Sequence, residues 1–256
     1  MTPRLAPLAM FLSSPPMVEQ RRPRLLKLSG EALQASQGIL DWMIVDRVCA
    51  ELLAGTALGP VAVVVGGGNI MRGAETKGRG SNDPTRGDYM GMLATLINSL
   101  ALKEGIERHG GRCEVVGPHH IPNVARQYDR SQVMSWLASG TTVVFGGGTG
   151  YPFFTTDTTA ALRAAEIGAS ELLKGSKVDG IYTADPKKFP DAKRFDFLTY
   201  DQAVAGRYGV MDATAFPICR DHHVSIRVFD MTQSGAIAMA LGANPQGTVV
   251  GDTPRT

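Results

Sequence analysis

The chain has 256 residues, of which 43% are hydrophobic and 20% are charged, and its formal net charge is +2. This composition is typical of an ordinary globular protein, and the charge is too small to attract nucleic acid or a membrane surface by bulk electrostatics. No segment reaches the roughly 18 consecutive apolar residues of a membrane span. The three cysteines form no C-x-x-C pair, which argues against a disulfide framework or a structural zinc site and favours the cytoplasm.

Residues 1–22 differ from the rest of the chain. A short, weakly apolar stretch is followed by Pro15-Pro16 and then by a charged run. The apolar stretch is too short for the hydrophobic region of a secretory signal. We interpret residues 1–22 as a disordered or mis-assigned extension, with Met17 as an alternative start, and residues 23–256 as one folded domain.

From residue 23 onward, short apolar runs alternate with longer segments of helical periodicity. Strands are predicted at residues 25–28, 61–65, 113–116, 141–145, 172–174 and 225–229, with 249–250 closing an edge of the sheet. Helices are predicted at residues 39–53, 88–109, 131–138, 157–168, 200–205, 212–220 and 236–241. This alternation predicts an α/β protein, a three-layer αβα sandwich with a mainly parallel central sheet.

Three of the predicted strands end in glycine-bearing turns, at residues 29–30, 66–68 and 146–150. Because the carboxyl ends of parallel strands lie on one rim of a sheet, we expect these turns to meet and to form the site. Amides of turn glycines can point at phosphate oxygens, since no Cβ blocks the approach. Lys27 and Arg72 add positive charge beside the first two turns, and Asp157 follows the third at a helix start. Cations, glycine amides and one organising carboxylate are what phosphoryl transfer requires.

Other motifs that bind nucleotides or metals are absent from the sequence. It contains no Walker A loop, no G-x-G-x-x-G fingerprint and no G-x-S-x-G elbow. The five histidines form no H-E-x-x-H zinc motif. The glycine turns therefore belong to a different kind of phosphate site.

Several segments together resemble the bacterial UMP kinases. They are Lys27-Leu-Ser-Gly-Glu-Ala, Gly66-Gly-Gly-Asn-Ile-Met-Arg72-Gly, Asp88-Tyr-Met-Gly-Met-Leu-Ala-Thr and Gly148-Thr-Gly-Tyr-Pro-Phe-Phe-Thr-Thr-Asp157. A further segment, Lys177-Val-Asp-Gly-Ile-Tyr-Thr-Ala-Asp-Pro186, is similar to the nucleotide-binding segment of the wider amino acid kinase superfamily. The resemblance covers residues 25–250 and implies the amino acid kinase fold. It also implies reversible transfer of the ATP γ-phosphate to UMP, giving UDP and ADP, in pyrimidine nucleotide biosynthesis.

The resemblance assigns roles to individual residues. The catalytic residues that it implies are Lys27, Arg72 and Asp157. The ATP-binding residues that it implies are Lys27, Leu28, Ser29, Gly30, Gly68, Arg72, Ser176, Tyr182 and Asp185. The UMP-binding residues that it implies are Gly67, Asp88, Thr149, Gly150, Tyr151, Pro152, Phe153, Phe154, Thr155 and Thr156. Mg²⁺ is expected to arrive with ATP, and no protein side chain is assigned to it.

The resemblance also implies an assembly and its regulation. It implies a homohexamer in which UTP is a feedback inhibitor and GTP an effector, without nucleic-acid or membrane partners. Residues 23–168 would form the UMP-binding lobe and residues 169–256 the ATP-binding lobe. The chain departs from the family at residues 34–39, where the usual glycine-bearing loop is shorter. The usual strength of the GTP response is therefore not carried over.

Two other functions stay open at this point. An amino acid kinase that acts on acetylglutamate, aspartate or carbamate would share Lys27 and Asp157, but it would lack the run at residues 149–156. A catalytically silent nucleotide sensor on the same fold should have lost a transfer-site group, whereas Lys27, Arg72 and Asp157 are all present. Asp88 and Asp157 have a simpler alternative role as helix caps.

Overall fold

The computed structural model describes residues 21–34, 38–71, 83, 85–209, 211–242 and 245–253, which form one sheet with helices on both faces. The strands are β1 (Arg24–Leu28), β2 (Val61–Val65), β3 (Cys113–Gly117), β4 (Arg126–Gln127), β5 (Thr142–Phe145), β6 (Glu171–Ser176), β7 (Phe197–Thr199), β8 (Ser225–Asp230) and β9 (Thr248–Gly251). The helices are α1 (Trp42–Thr56), α2 (Arg86–Arg108), α3 (Arg130–Ala138), α4 (Thr156–Glu166), α5 (Tyr200–Ala205), α6 (Ala215–Asp221) and α7 (Ala236–Ala240). A short 3₁₀ turn, Gly30–Leu33, follows β1.

The sheet is continuous and almost entirely parallel. Its strand order is β4-β3-β5-β2-β1-β6-β8-β9-β7. Every neighbouring pair is parallel except β8 and β9, which run antiparallel. The predicted parallel α/β architecture is confirmed.

Successive side chains of the central strands enter two different cores. In β2, Ala62 and Val64 pack in the layer that holds α3, α4 and α6. Val61, Val63 and Val65 pack in the opposite layer with α1, α2 and α7. A strand buried on both faces needs an apolar residue at every position, since side chains alternate with a period of two. The continuous apolar runs of the sequence are the direct consequence.

The prediction that residues 249–250 close an edge of the sheet is wrong. They belong to β9, which lies between β8 and β7, so that β7 forms the edge. With only three residues, β7 shows no readable periodicity, and among the described strands it pairs only with β9. The opposite edge strand, β4, has two residues and was not predicted either. Short edge strands are defined by their hydrogen bonds to the backbone of the neighbouring strand. The hydrophobic periodicity of a sequence does not reveal those bonds.

Local capping explains where the predicted helices begin and end. The first helix begins at Trp42 rather than at residue 39, because the Asp41 side chain accepts hydrogen bonds from the N–H groups of Met43 and Ile44. Helix α4 ends at Glu166, and Gly168 follows with φ of +63°. A left-handed glycine just past a helix is a common stop signal, and it lies at the end of the range predicted for this helix.

The expected N-terminal extension lies outside the described residues, apart from Arg21 and Arg22, and stays a prediction. No helix in the described part of the chain combines the length and apolar character that a bilayer crossing needs.

The turn after β1 packs against the turn after β2 with no room for a side chain. A Cβ on Gly30 would lie 2.6 Å from the Gly66 carbonyl oxygen. We predict that Gly30→Ala lowers the free energy of unfolding by about 1–3 kcal/mol, because the backbone must shift. Urea unfolding followed by circular dichroism measures the change.

The matched control is Gly91→Ala in α2. The nearest atom to a Cβ there is the Met71 carbonyl oxygen at 3.9 Å. This substitution should leave the stability unchanged or raise it by about 0.5–1 kcal/mol through helix propensity. Equal losses for both variants would contradict the packing explanation.

Candidate active site

The three glycine turns meet on one rim of the sheet, as expected. Strands β1, β2 and β5 are parallel neighbours, so their carboxyl ends point the same way. The Gly66 N–H donates to the Leu28 carbonyl oxygen at 2.8 Å, and a Cβ on Gly66 would lie 3.6 Å from the Thr156 hydroxyl oxygen. The Asn98 amide, fully buried on α2, donates to the Gly66 carbonyl oxygen at 2.7 Å. The turns after β1 and β2 are thus fixed against each other, and the turn after β2 lies beside the start of α4.

Two lysines occupy matching positions on adjacent strands. Both β1 and β6 contain the sequence Leu-Leu-Lys, at residues 25–27 and 172–174. The strands pair in register, with Lys27 opposite Lys174. Because Leu25 and Leu172 enter the α4 layer, alternation sends both lysines into that layer as well.

Both ammonium groups converge on Asp157, in the first turn of α4. The Lys174 ammonium donates to Oδ2 at 2.5 Å, and the Lys27 Nζ lies 2.7 Å from Oδ1 as an ion pair. Lys27 and Asp157 are each less than a tenth exposed. One carboxylate between two ammonium groups leaves a surplus of positive charge in a nearly dry place. We refer to these residues as the Lys27–Asp157–Lys174 triad.

The triad shifts the acid–base properties of its members. Burial alone would raise the pKa of Asp157, but the charges of Lys27 and Lys174 outweigh it and hold that pKa below 3.8. Burial, followed by the charge of Lys27, lowers the pKa of Lys174 from 10.5 to about 8, although Asp157 acts to raise it. Asp157 is therefore ionised at neutral pH, and Lys174 is poised to change charge just above it.

The two lysines line a cavity of about 390 Å³ beyond the carboxyl ends of β1, β6 and β8, here named the lysine cavity. Its other walls include Ser29 after β1, Arg47 of α1 and Ser176 at the end of β6. The cavity thus combines cations, hydroxyl groups and turn backbone. These groups are suited to a polyanionic ligand.

A second, smaller cavity of about 160 Å³ lies beside α2 and the start of α4, here named the Asp88 cavity. Its lining includes Gly67, Asp88, Phe154 and Thr156. Thr156 and Asp157 are consecutive, so the N-terminus of α4 lies between the two cavities. Thr156 lines the Asp88 cavity, and Asp157 contacts the two lysines that line the other one.

Asp88 is not the N-cap residue of its own helix but holds a neighbouring loop. Its carboxylate accepts the backbone N–H of Phe153 at 2.9 Å, and Thr85 is the N-cap residue of α2. Phe153 has φ of +71°, which non-glycine residues rarely adopt. Asp88 therefore holds the loop at residues 149–155 against α2 in a strained conformation.

Comparison with known proteins gives a consistent result. The sequence profile of the amino acid kinase family matches residues 23–230. The chain is 51% identical to the uridylate kinase of Bradyrhizobium diazoefficiens over 227 residues, which cover 88% of this chain and 95% of that protein. The uridylate kinase of Rhodopseudomonas palustris strain HaA2 is 50% identical over the same shares of both chains. The chain belongs to the amino acid kinase family, and within it to the uridylate kinases.

Solved structures agree with this assignment. The UMP kinase of Bacillus anthracis superposes with a TM-score of 0.86 at 33% identity, over 91% of this chain and 97% of that one. The UMP kinase of Ureaplasma parvum gives a TM-score of 0.84 at 30% identity, over 91% and 99% of the two chains. An isopentenyl phosphate kinase, at 18% identity and a TM-score of 0.64, shares the fold alone. The amino acid kinase fold is confirmed.

Most of the predicted site residues line one of the two cavities or lie in the turns that follow β1, β2 and β5. The lysine cavity is lined by Lys27, Ser29 and Ser176. The Asp88 cavity is lined by Gly67, Asp88, Phe154, Thr155 and Thr156. The turns contain Gly30, Gly68, Thr149, Gly150 and Pro152.

The remaining predicted residues are placed differently. The side chain of Leu28 is fully buried in the core, so it has no free surface for a ligand. Tyr151 and Phe153 have exposed side chains, at 70% and 69%. The Tyr182 hydroxyl donates to Asp179, Asp185 accepts from the Lys187 N–H, and neither Tyr182 nor Asp185 lines the lysine cavity. Arg72 lies outside the described residues.

Sequence reasoning missed Lys174 as a site residue. A signal was present, because the repeated Leu-Leu-Lys places a charge at the same point of two apolar strands. Only the pairing of β1 with β6 shows that the two lysines are neighbours. Among the described residues, no group of three or more His, Cys, Asp or Glu side chains could hold a metal ion.

Removing the central carboxylate should give a pH-dependent loss of stability. Lys174 loses its favourable partner in Asp157→Asn, so its pKa should fall further below 8. The pKa of Lys174 is then lower in the folded state than in the unfolded state. The free energy of unfolding therefore rises as the pH increases between these two pKa values. We expect a loss of about 3–5 kcal/mol at about pH 6, which shrinks as the pH approaches about 8.

Urea unfolding at a series of pH values tests this expectation. Asp191→Asn, at an exposed position, serves as the control and should change stability little at any pH. A penalty for Asp157→Asn that stays constant between these pH values would contradict the coupling to Lys174.

Proposed function

We propose that this chain is a UMP kinase that transfers the γ-phosphate of ATP reversibly to UMP, giving UDP and ADP. The observation that carries the proposal is the Lys27–Asp157–Lys174 triad at the junction of the lysine cavity and the Asp88 cavity. A phosphoryl group that passes between two ligands needs concentrated positive charge where they meet. The names of the relatives supply the two substrates.

ATP would occupy the lysine cavity. Its phosphates would lie against Lys27, Lys174 and Ser29, with the backbone of Gly30 and Gly68 and the Arg72 side chain beside the transfer point. Ser176, Tyr182 and Asp185 would hold the adenosine part, as the resemblance implies. Mg²⁺ bound to the phosphates would neutralise part of their charge.

UMP would occupy the Asp88 cavity. Asp88 would accept a hydrogen bond from a ribose hydroxyl, and the loop at residues 149–156 would surround the phosphate and base. The phosphate would face the N-terminus of α4, whose dipole and amide groups favour anions. On this proposal the acceptor site is built within residues 23–168, whereas the donor site takes residues from both halves of the chain.

The chemistry needs positioning rather than a protein base. A phosphate monoester has a second pKa of about 6, so the attacking UMP oxygen carries no proton at neutral pH. Asp157, ionised and engaged by two lysines, would hold the ammonium groups in place instead of removing a proton. Lys27 and Lys174 would then stabilise the charge on the transferred phosphoryl group during direct in-line attack.

A silent nucleotide sensor explains the structure less well. Two lysines that share one buried carboxylate repel each other and lose hydration, which is a cost that mere binding does not require. No feature of the described residues favours the sensor.

We further propose that the chain self-associates, as a homohexamer by family resemblance. The outer face of α2 exposes Tyr89, Leu93, Ile97 and Leu100, which lie on one side of the helix at spacings of four, four and three. An apolar stripe of this kind is characteristic of an interface. UTP as feedback inhibitor, GTP as an effector, a role in pyrimidine nucleotide biosynthesis and a cytoplasmic location complete the proposal.

The substrate is tested by ADP release with Mg-ATP in a coupled assay. UMP, CMP, dUMP and acetylglutamate are offered separately, and turnover is expected with UMP and to be lost in Asp157→Asn. Binding of both ATP and UMP without turnover would support the sensor instead. Turnover with acetylglutamate alone would indicate another amino acid kinase.

The pH dependence of turnover tests the role of Lys174. Its pKa of about 8 predicts that kcat/KM for ATP falls as the pH rises above about 8, because the lysine loses its charge. Lys174→Arg keeps the charge, so this decline should move to higher pH even if the overall rate is lower. An unchanged decline in the variant would show that another group titrates.

A further inference from the structure

The loop between β8 and α7 forms one wall of the lysine cavity. Met231 and Thr232 line the cavity directly. The Met231 N–H donates to the Ser176 carbonyl oxygen at 3.1 Å, and a Cβ on Gly175 would lie 2.6 Å from the Met231 sulfur. The position of this loop therefore sets the width of the cavity at the end of β6.

Arg47 joins α1 to this wall through two backbone carbonyl groups. Its guanidinium donates to the Met231 oxygen at 3.4 Å and to the Gln233 oxygen at 3.3 Å. It also donates to Glu51, one turn further along α1, at 2.9 Å. A planar guanidinium can hold several acceptors in fixed directions, which a lysine ammonium cannot reproduce.

Glu51 completes the link from the buried side. Its Oε1 accepts the Gly235 N–H at 2.8 Å, and its Oε2 accepts the Ile237 N–H at 2.9 Å. Gly235 is the N-cap residue of α7, with φ of +82° and no side chain to cap the helix. Glu51 thus supplies from α1 the cap that the local sequence lacks. Glu51 is buried and does not line the lysine cavity.

We propose that Arg47 and Glu51 are positioning residues that fix the β8–α7 wall and thereby set the affinity for the donor nucleotide. The proposal rests on the function proposed above, in which ATP occupies the lysine cavity. No residue of α1 lines the Asp88 cavity in the described part of the chain. The effect should therefore fall on ATP and spare UMP.

The test measures KM for ATP, KM for UMP and kcat for Arg47→Ala, Arg47→Lys and Glu51→Gln, with ATP binding by calorimetry. We expect KM for ATP to rise about tenfold in Arg47→Ala, with KM for UMP and kcat changed less than about twofold. Arg47→Lys should resemble Arg47→Ala, because the charge remains but the bridge to two carbonyl groups is lost. Glu51→Gln should also raise KM for ATP, although Glu51 does not line the cavity.

The matched control is Glu107→Gln, which removes the acid of another i,i+4 pair, that of Lys103 with Glu107 on α2. It should leave both KM values unchanged. Thermal unfolding checks that each variant is folded; if Arg47→Ala does not fold, Arg47→Lys and Glu51→Gln decide the outcome.

Two results would overturn the inference. Wild-type ATP affinity in Arg47→Lys would show that only the charge of Arg47 matters, and unchanged ATP affinity in Glu51→Gln would show that the wall is held without this link. Equal losses for ATP and UMP would indicate general destabilisation and would also overturn it. An inactive wild-type protein refutes the proposed function instead, and is recognised before any variant is compared.

Discussion

The meeting of Lys27 and Lys174 on the carboxylate of Asp157 is the interaction on which the rest of the site depends. Burying an ammonium group at the end of a strand costs hydration. The shared carboxylate, ionised because of the lysines, keeps both ammonium groups in place and leaves a net positive charge. This arrangement needs β1 and β6 to be neighbours in register and α4 to begin above them.

The start of α4 connects the two cavities. Thr156 faces the Asp88 cavity, and Asp157, the next residue, faces the two lysines. The same segment lies against Gly66 in the turn after β2. A site that mainly positions its ligands for phosphoryl transfer depends on fixed backbone contacts of this kind.

The helix layer on the other face of the sheet also acts on the lysine cavity. Through Arg47 and Glu51, α1 holds the loop that follows β8 by two carbonyl and two amide groups. The cavity wall is therefore attached to the core packing of α1 against α7. In this way an element without a glycine turn contributes to the lysine cavity.

The sequence by itself determined the layered parallel α/β fold, the glycine turns on one rim and the positions of Lys27 and Asp157 beside those turns. These features are local, because buried strands need continuous apolar runs and close backbone approach needs glycine. Only the tertiary structure decided the partnership of Lys174 with Lys27, the edge position of β7 and the capping of α7 by Glu51. Each of these joins residues that are distant in the chain, and periodicity carries no information about which strands and helices become neighbours.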